Sequence, residues 1–191
     1  MIYVIGYRDK VPEGSLVINT TSRCTNWSRG LSPFFLNPGK LYGNHSAKNV
    51  ENAWQYSKVY KEHLDDKGNI TDEYFYWAKE GWNLDSAVRY PMGKDRKPEF
   101  SYWDGNRYDY ITARKKIYAP LYSNAVKLYP AYNTLKDICR KAKEQNEDVY
   151  LLDFDGYNHI KEGTDFKDVV NNPDRKMGHA FVLWYMLSKE I

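Results

Sequence analysis

The sequence predicts an α+β fold, a small mixed or antiparallel sheet with helices packed around it, in a single domain over residues 1–191. Three observations carry that reading. Short runs rich in Val, Ile and Tyr stand near both ends of the chain, at residues 3–7, 16–21 and 149–154. Between them lie segments whose apolar residues recur at helical spacing. No internal repeat, low-complexity tract or linker interrupts the chain. Strands at both ends with helices between them point to helices layered on one sheet.

The first two strands, 3–7 and 16–21, flank Pro12-Glu13-Gly14, which predicts a hairpin. Residues 21–49 are dense in Ser, Asn, Gly and Pro and read as loop, with one short strand near residues 40–42. Trp27, Leu31, Phe34, Phe35, Leu41 and Tyr42 give that loop enough apolar surface to be ordered. Asn49 is a helix N-cap, and Val50, Ala53, Ser57, Tyr60 and Leu64 follow at helical spacing, so a helix runs from Asn49 until residues 65–69 end it. Thr71 caps a second helix to about Glu80, with Gly81 as its stop. A third spans 108–118, with Pro120 positioned to break or restart it. A fourth spans about 134–145 behind Asn133. Residues 149–154 form a buried strand, and the last helix, 177–189, is apolar on most faces and therefore central.

Composition narrows the function classes. With 42% hydrophobic residues the chain can fill a core and does not read as disordered. Its 18 Tyr and 6 Trp suit either a half-wet core or a groove that grips flat rings, and composition does not separate the two. A net charge of +3 permits contact with phosphate without the dense basic stripe of many nucleic-acid binders. Cys24 and Cys139 form no CxxC pair, and the four histidines show no ligand spacing, so no metal and no cofactor is expected. The sequence shows neither a signal peptide nor a run long enough to span a membrane, which makes the cytosol the default compartment.

Two clusters carry potential chemistry. Glu51, Trp54, Gln55 and Lys58 stand at i, i+3, i+4 and i+7, along one side of the first helix and at the edge of its apolar stripe. That stripe is either one wall of a site or a solvated face on which Glu51 bonds Gln55 and points at water. In the second cluster, Asp153 and Asp155 alternate with Leu152 and Phe154, which sends both carboxylates off one face of a strand end. The other reading makes this pair the cap of a turn at Gly156.

The order of these features resembles the NADAR superfamily, named for NAD and ADP-ribose. A Ser-x-Phe segment, a Gly-containing loop and a helix with the order E-x-x-aromatic-Q-x-x-K match Ser32, Phe34, Gly43, Glu51, Trp54, Gln55 and Lys58. Lys94, Arg96 and Trp103 resemble the family's basic stretch before a Trp. Asp153 stands where that family more often has Glu, and Gly178 matches its C-terminal helix. Pro33 replaces the usual Asn, and residues 158–176 replace a glycine-rich Trp-Gly segment.

The resemblance implies hydrolysis of an N-glycosidic bond at a ribose or ADP-ribose carbon, on a small molecule or a modified nucleobase. Glu51 is then the principal carboxylate and Asp153 or Asp155 the second. Trp54, Trp103 or Tyr157 stacks on the leaving base, and Lys58, Arg96 and Arg29 hold phosphates. The partner implied is an ADP-ribose-like or phosphoribosyl ligand, with nucleic acid as a further possibility and no membrane. The alternative is a non-catalytic protein that uses the same basic, aromatic surface to bind a nucleotide, nucleic acid or protein.

Overall fold

The computed structural model describes residues 1–191 and is α+β. In chain order the elements are β1 (Ile2–Ile5), β2 (Leu16–Asn19), β3 (Gly39–Lys40), β4 (Ser46–Ala47), α1 (Val50–Gln55), β5 (Lys58–Val59), α2 (Asp72–Trp82), β6 (Phe100–Trp103), β7 (Asn106–Tyr108), α3 (Tyr110–Ala113), α4 (Ala119–Val126), α5 (Pro130–Glu144), β8 (Val149–Leu152), α6 (Phe166–Asn171) and α7 (His179–Glu190). Short 3₁₀ turns cover Trp27–Leu31 and Lys61–His63, and a π-helical turn covers Arg114–Tyr118. The chain divides into two compact units. One joins 1–32 to 122–191, and the other is 33–121. No helix is long and apolar enough to cross a membrane.

The first unit is built on a three-stranded parallel sheet of order β1-β8-β2. The expected hairpin of the first two strands does not form, because β8 inserts between them. Ile2 and Leu16 both pair with Val149. The reason lies in β8 itself. VYLL is buried along most of its length, and a continuous apolar run is what a central parallel strand requires. α7 lies against β1, where the Trp184 indole N–H donates to the Ile2 carbonyl at 2.9 Å. α5 packs on the 3₁₀ turn at 27–31, where a Cβ on Gly30 would stand 2.9 Å from that of Ala131. This helix starts earlier than the expected Asn133 cap. Tyr129 is the N-cap and Pro130 takes the first position, where its missing N–H costs nothing.

The second unit contains the antiparallel pair β3-β4 and the antiparallel sheet β5-β6-β7. Its core gathers Ala53, Tyr56, Val59, Tyr74, Ala78 and Trp82. α1 is one and a half turns long and does not reach Leu64. Its continuation is diverted by competition for the carbonyls a longer helix would use. The Tyr74 hydroxyl reaches the Tyr56 and Ser57 carbonyls at 3.1 and 3.2 Å, and the backbone N–H groups of Tyr102 and Glu99 take the Ser57 and Val59 carbonyls at 2.8 Å each. Lys58 therefore sits on a strand. Gly81 is not a stop either. It lies inside α2, which ends at the cap Asn83, and its absent side chain lets the Tyr56 ring press on the helix backbone. The expected single helix over 108–118 is α3 followed by the π turn, and Pro120 sits in the first turn of α4.

Two predictions follow from this packing. A Cβ on Gly81 would meet Tyr56 Cδ1 at 2.0 Å. Overpacking of this kind costs about 1–3 kcal/mol, so Gly81→Ala should lower the midpoint of denaturant unfolding followed by tryptophan fluorescence.

The second concerns acid. His159 is fully buried, edge-on to Trp184 (4.5 Å) and Phe181 (5.4 Å), with neither ring nitrogen hydrogen-bonded. Burial holds its pKa below the ordinary 6.5, against the smaller opposing pull of Glu162 and Asp165. A depressed folded pKa means that the unfolded chain takes up the proton first. This group's stabilisation is complete above 6.5 and is lost as pH falls from there toward the folded value. The melting temperature should drop between pH 7 and 5, and His159→Phe should flatten that drop; an unchanged slope would refute the assignment.

Candidate active site

Glu51 occupies the first turn of α1, behind the N-cap Asn49, whose side chain accepts from the Asn52 N–H at 2.7 Å. The helix start is held from two sides. The Pro33 and Leu36 carbonyls accept from the Glu51 and Val50 N–H groups at 3.1 and 2.8 Å, which brings the segment bearing Phe34 onto α1. From the other side, the Asn52 amide bonds Leu84, Ser86 and Val88 through their backbones. Every residue of α1 is buried, so the stripe is not a solvated face; Glu51 is 6% exposed.

The side chains form a directed chain. Gln55 Nε2 donates to Glu51 Oε1 at 2.9 Å, and Lys58 Nζ donates to Gln55 Oε1 at 2.7 Å. A carboxylate only accepts and an ammonium only donates, so the Gln55 amide has one permitted orientation. Gln55 thus holds Glu51 at one end and Lys58 at the other. The Lys58 ammonium also lies 5.0 Å from the centroid of the Trp54 ring, and Trp54 meets Tyr118 at 5.3 Å. A base stacking on Trp54 has to move Lys58 first. The magnitudes set a demand on this site. A hydrogen bond to a charged group contributes about 1.5–3 kcal/mol, whereas desolvating a carboxylate costs several kcal/mol. Gln55 by itself does not offset the burial of Glu51.

The other expected residues of this unit have their own partners. Arg96 is exposed and paired with Glu62, and its guanidinium holds the Glu62 carboxyl below the ordinary carboxylate range. A phosphate at Arg96 has to compete with Glu62. Trp103 is on β6 and packs edge-on against Tyr42 at 4.9 Å. Gly43 is at the tip of the β3-β4 hairpin with φ +52°, a left-handed conformation that favours glycine. Lys94 is exposed in the loop before β6.

The remaining expected residues belong to the first unit. Ser32 is buried and closes the 3₁₀ turn, its N–H donating to the Arg29 carbonyl. Arg29 lies exposed in that turn. β8 ends at Leu152, so Asp153 and Asp155 do not leave a strand on one face. Asp155 is half-buried in a turn, whereas Asp153 is buried and turned toward α7. Its Oδ2 accepts from the Ala180 N–H at 3.0 Å and faces His179 Nδ1 at 3.1 Å. His179 Nε2 lies 2.8 Å from the Thr20 carbonyl, which only accepts, so that nitrogen carries a hydrogen. The N-cap of α7 is Gly178, which has no side chain to offer, and a Cβ there would stand 2.1 Å from Asp153 Oδ2. Asp153 therefore caps α7 from a distance, through space that only glycine leaves open. Tyr157 is held between the Arg175 guanidinium (3.7 Å) and the Phe181 ring (4.7 Å).

Sequence reasoning missed Tyr118, which meets Trp54, and His179, which faces Asp153. Nothing in the spacing of His179 from Asp153 marks them as partners.

No curated protein and no solved structure matches the chain. One family model does, over residues 7–182, and it is described as a family of unknown function, DUF6939. That match spans most of the sequence, and the chain belongs to this family.

Proposed function

We propose that the chain is an N-glycosidase-type hydrolase acting on a base–ribose or ADP-ribosyl N-glycosidic bond, with Glu51 as its carboxylate. The observation that carries this reading is a buried carboxylate fixed by Gln55 and linked through it to the half-buried cation Lys58. Buried, fixed charges are costly and concentrate at sites that use them. The resemblance of the surrounding motif to the NADAR superfamily supports the same chemistry.

In this mechanism the C1′–N bond breaks and its electron pair leaves with the base. The positive charge that builds on the sugar ring is stabilised by Glu51. Water then adds at C1′, and its proton passes to the Glu51 carboxylate and from there to the departing base, or to solvent where the base leaves neutral. Lys58 offers the charge for a phosphate next to the reacting sugar. A cytosolic setting suits such a ligand.

One observation favours the second reading, a non-catalytic nucleotide-, nucleic-acid- or protein-binding role. Asp153, the candidate second carboxylate, is engaged as the cap of α7. Catalysis then rests on Glu51, with or without Asp155.

Glu51→Gln keeps the shape and an acceptor for Gln55 while removing the charge. Release of free base or ADP-ribose from NAD, ADP-ribosylated DNA and pyrimidine nucleosides should fall about 100- to 10,000-fold, measured by chromatography at a temperature where circular dichroism shows the variant folded. Retained turnover would exclude Glu51 as the catalytic group; no turnover by the parent chain on any of these substrates would favour the binding role.

Lys58→Ala should weaken ADP-ribose more than a nucleoside in calorimetric titration. The difference should shrink as salt rises, because screening already discounts a partly exposed charge. Equal losses for both ligands would remove the phosphate role of Lys58.

A further inference from the structure

The three strands of the first unit end together. Ile5 and Asn19 both register with Leu152, so the segments that follow β1, β2 and β8 leave the same end of the parallel sheet. In open parallel sheets, ligands bind beyond the carboxyl ends of the strands. The segments at this end carry side chains that the Glu51 chemistry does not use. They are Tyr7 after β1, Thr21 and Arg23 after β2, and Phe154 after β8.

These four side chains are joined across the three segments. The Tyr7 ring stacks on Phe154, with centroids 5.3 Å apart and planes 30° from parallel. The Tyr7 hydroxyl lies 3.3 Å from Thr21 Oγ1, and the Arg23 guanidinium lies 5.1 Å from the centroid of the Phe154 ring. The backbone is tight here. A Cβ on Gly6, the residue before Tyr7, would stand 2.5 Å from the Gly156 carbonyl oxygen. The Gly6 N–H donates to Asp9 Oδ2 at 2.8 Å, which turns that carboxylate back onto its own segment. The rings are thus held in place before any ligand arrives, which lowers the entropy cost of binding.

This arrangement is nevertheless not a core. Tyr7 is 53% exposed although its ring is stacked, and Arg23 is exposed. A ring covered on one face and exposed over half its surface offers the other face to a further ring. A guanidinium seated on the neighbouring ring offers N–H groups to a phosphate. Arg175, by contrast, is paired with Glu162 and lies on Tyr157, and it is given no part in this site.

We propose that the carboxyl end of this sheet binds single-stranded nucleic acid, with a base stacked on Tyr7 and the adjoining phosphate on Arg23. The openness of the platform selects this ligand. A small-molecule site encloses most of its ligand. An exposed ring with a cation beside it gains instead from a strand, which supplies base faces and phosphates in succession. In a duplex the base faces are already stacked on one another and are closed to Tyr7. The site is independent of the N-glycosidase reading, since none of its residues belongs to the unit that holds Glu51.

Fluorescence anisotropy with a labelled oligothymidine of about ten nucleotides, at about 50 mM salt, tests the site on the whole chain. The strand should bind more tightly than the same sequence in a duplex, and thymidine monophosphate should compete poorly. Tyr7→Leu should weaken binding about tenfold, while Tyr7→Phe, which keeps the ring, should stay within about twofold of the parent. Arg23→Gln should weaken binding and reduce the salt slope by roughly 0.7, the value for one phosphate on a single strand. Tyr76→Ala, which removes a ring 70% exposed on α2, should change nothing.

No binding by the parent chain at low salt would overturn the proposal, and so would equal affinity for strand and duplex. A loss at Tyr76→Ala as large as at Tyr7→Leu would reduce the binding to non-specific ring contact. Should Tyr7→Leu not fold, Arg23→Gln decides through its salt slope, because a merely structural arginine would leave that slope unchanged. Turnover at Glu51 is a separate readout, and its absence would count against the N-glycosidase reading without touching this one.

Discussion

β8 must enter between β1 and β2, and that constraint governs the first unit. The strand is too apolar to stand at an edge, and both of its neighbours come from the opposite end of the chain. No strand pair in this sheet is local. Pairing of this kind has to meet the loop-closure entropy before any contact repays it, which makes it intrinsically slower to form than local pairing. Parallel pairing also aligns the carboxyl ends of all three strands. This places Asp153, one residue past β8, beside the start of α7, where its carboxylate caps the helix. Beyond the carboxyl end of β8, the segment bearing Gly156 runs so close to the end of β1 that a Cβ on Gly156 would meet the Ile5 carbonyl oxygen at 2.2 Å. Gly156 and Gly178 are both required by near contacts of this one arrangement.

In the second unit the corresponding constraint is the allocation of backbone carbonyls after α1. A helix continuing to Leu64 would use them internally. Instead Tyr74 and β6 claim them, the chain turns into β5, and Lys58 leaves the helix. Lys58 keeps its bond to Gln55 across that change of structure. The relay from Glu51 to Lys58 therefore runs from a helix to a strand, which fixes both ends more firmly than two exposed positions on one short helix would be fixed. The aromatic residues serve this arrangement as structure. Tyr56 packs on Gly81, Tyr74 is buried, and Trp54 lies under Lys58.

The two units handle buried charge by similar means. Asp153 is matched by His179 and the N-terminus of α7. Glu51 accepts from Gln55, which in turn accepts from Lys58. Such networks are not the cheapest way to fill a core, since apolar residues of similar volume are often as stabilising. On the proposed function, their use at Glu51, where the neighbouring cation is half-buried, serves the chemistry.

Local features were legible in the sequence. Asn49 caps α1, Thr71 precedes α2, the last helix is central, and the fold class is α+β. The side-by-side placement of Glu51, Trp54 and Gln55 on α1 was also legible, because it follows from a spacing of a few residues, whereas Lys58, expected on the same helix, stands on β5. Other features were decided by partners distant in sequence. Val149 draws β1 and β2 apart, and Tyr74 and Tyr102 end α1. The Tyr56 ring makes Gly81 a contact point and not a stop. Asp153 faces a helix start whose only sequence mark is a glycine. Periodicity reports which face of an element is apolar. It does not report which remote backbone will compete for a carbonyl, nor which buried charge will meet another, and those long-range contacts set the strand order of the sheet and the surroundings of Glu51.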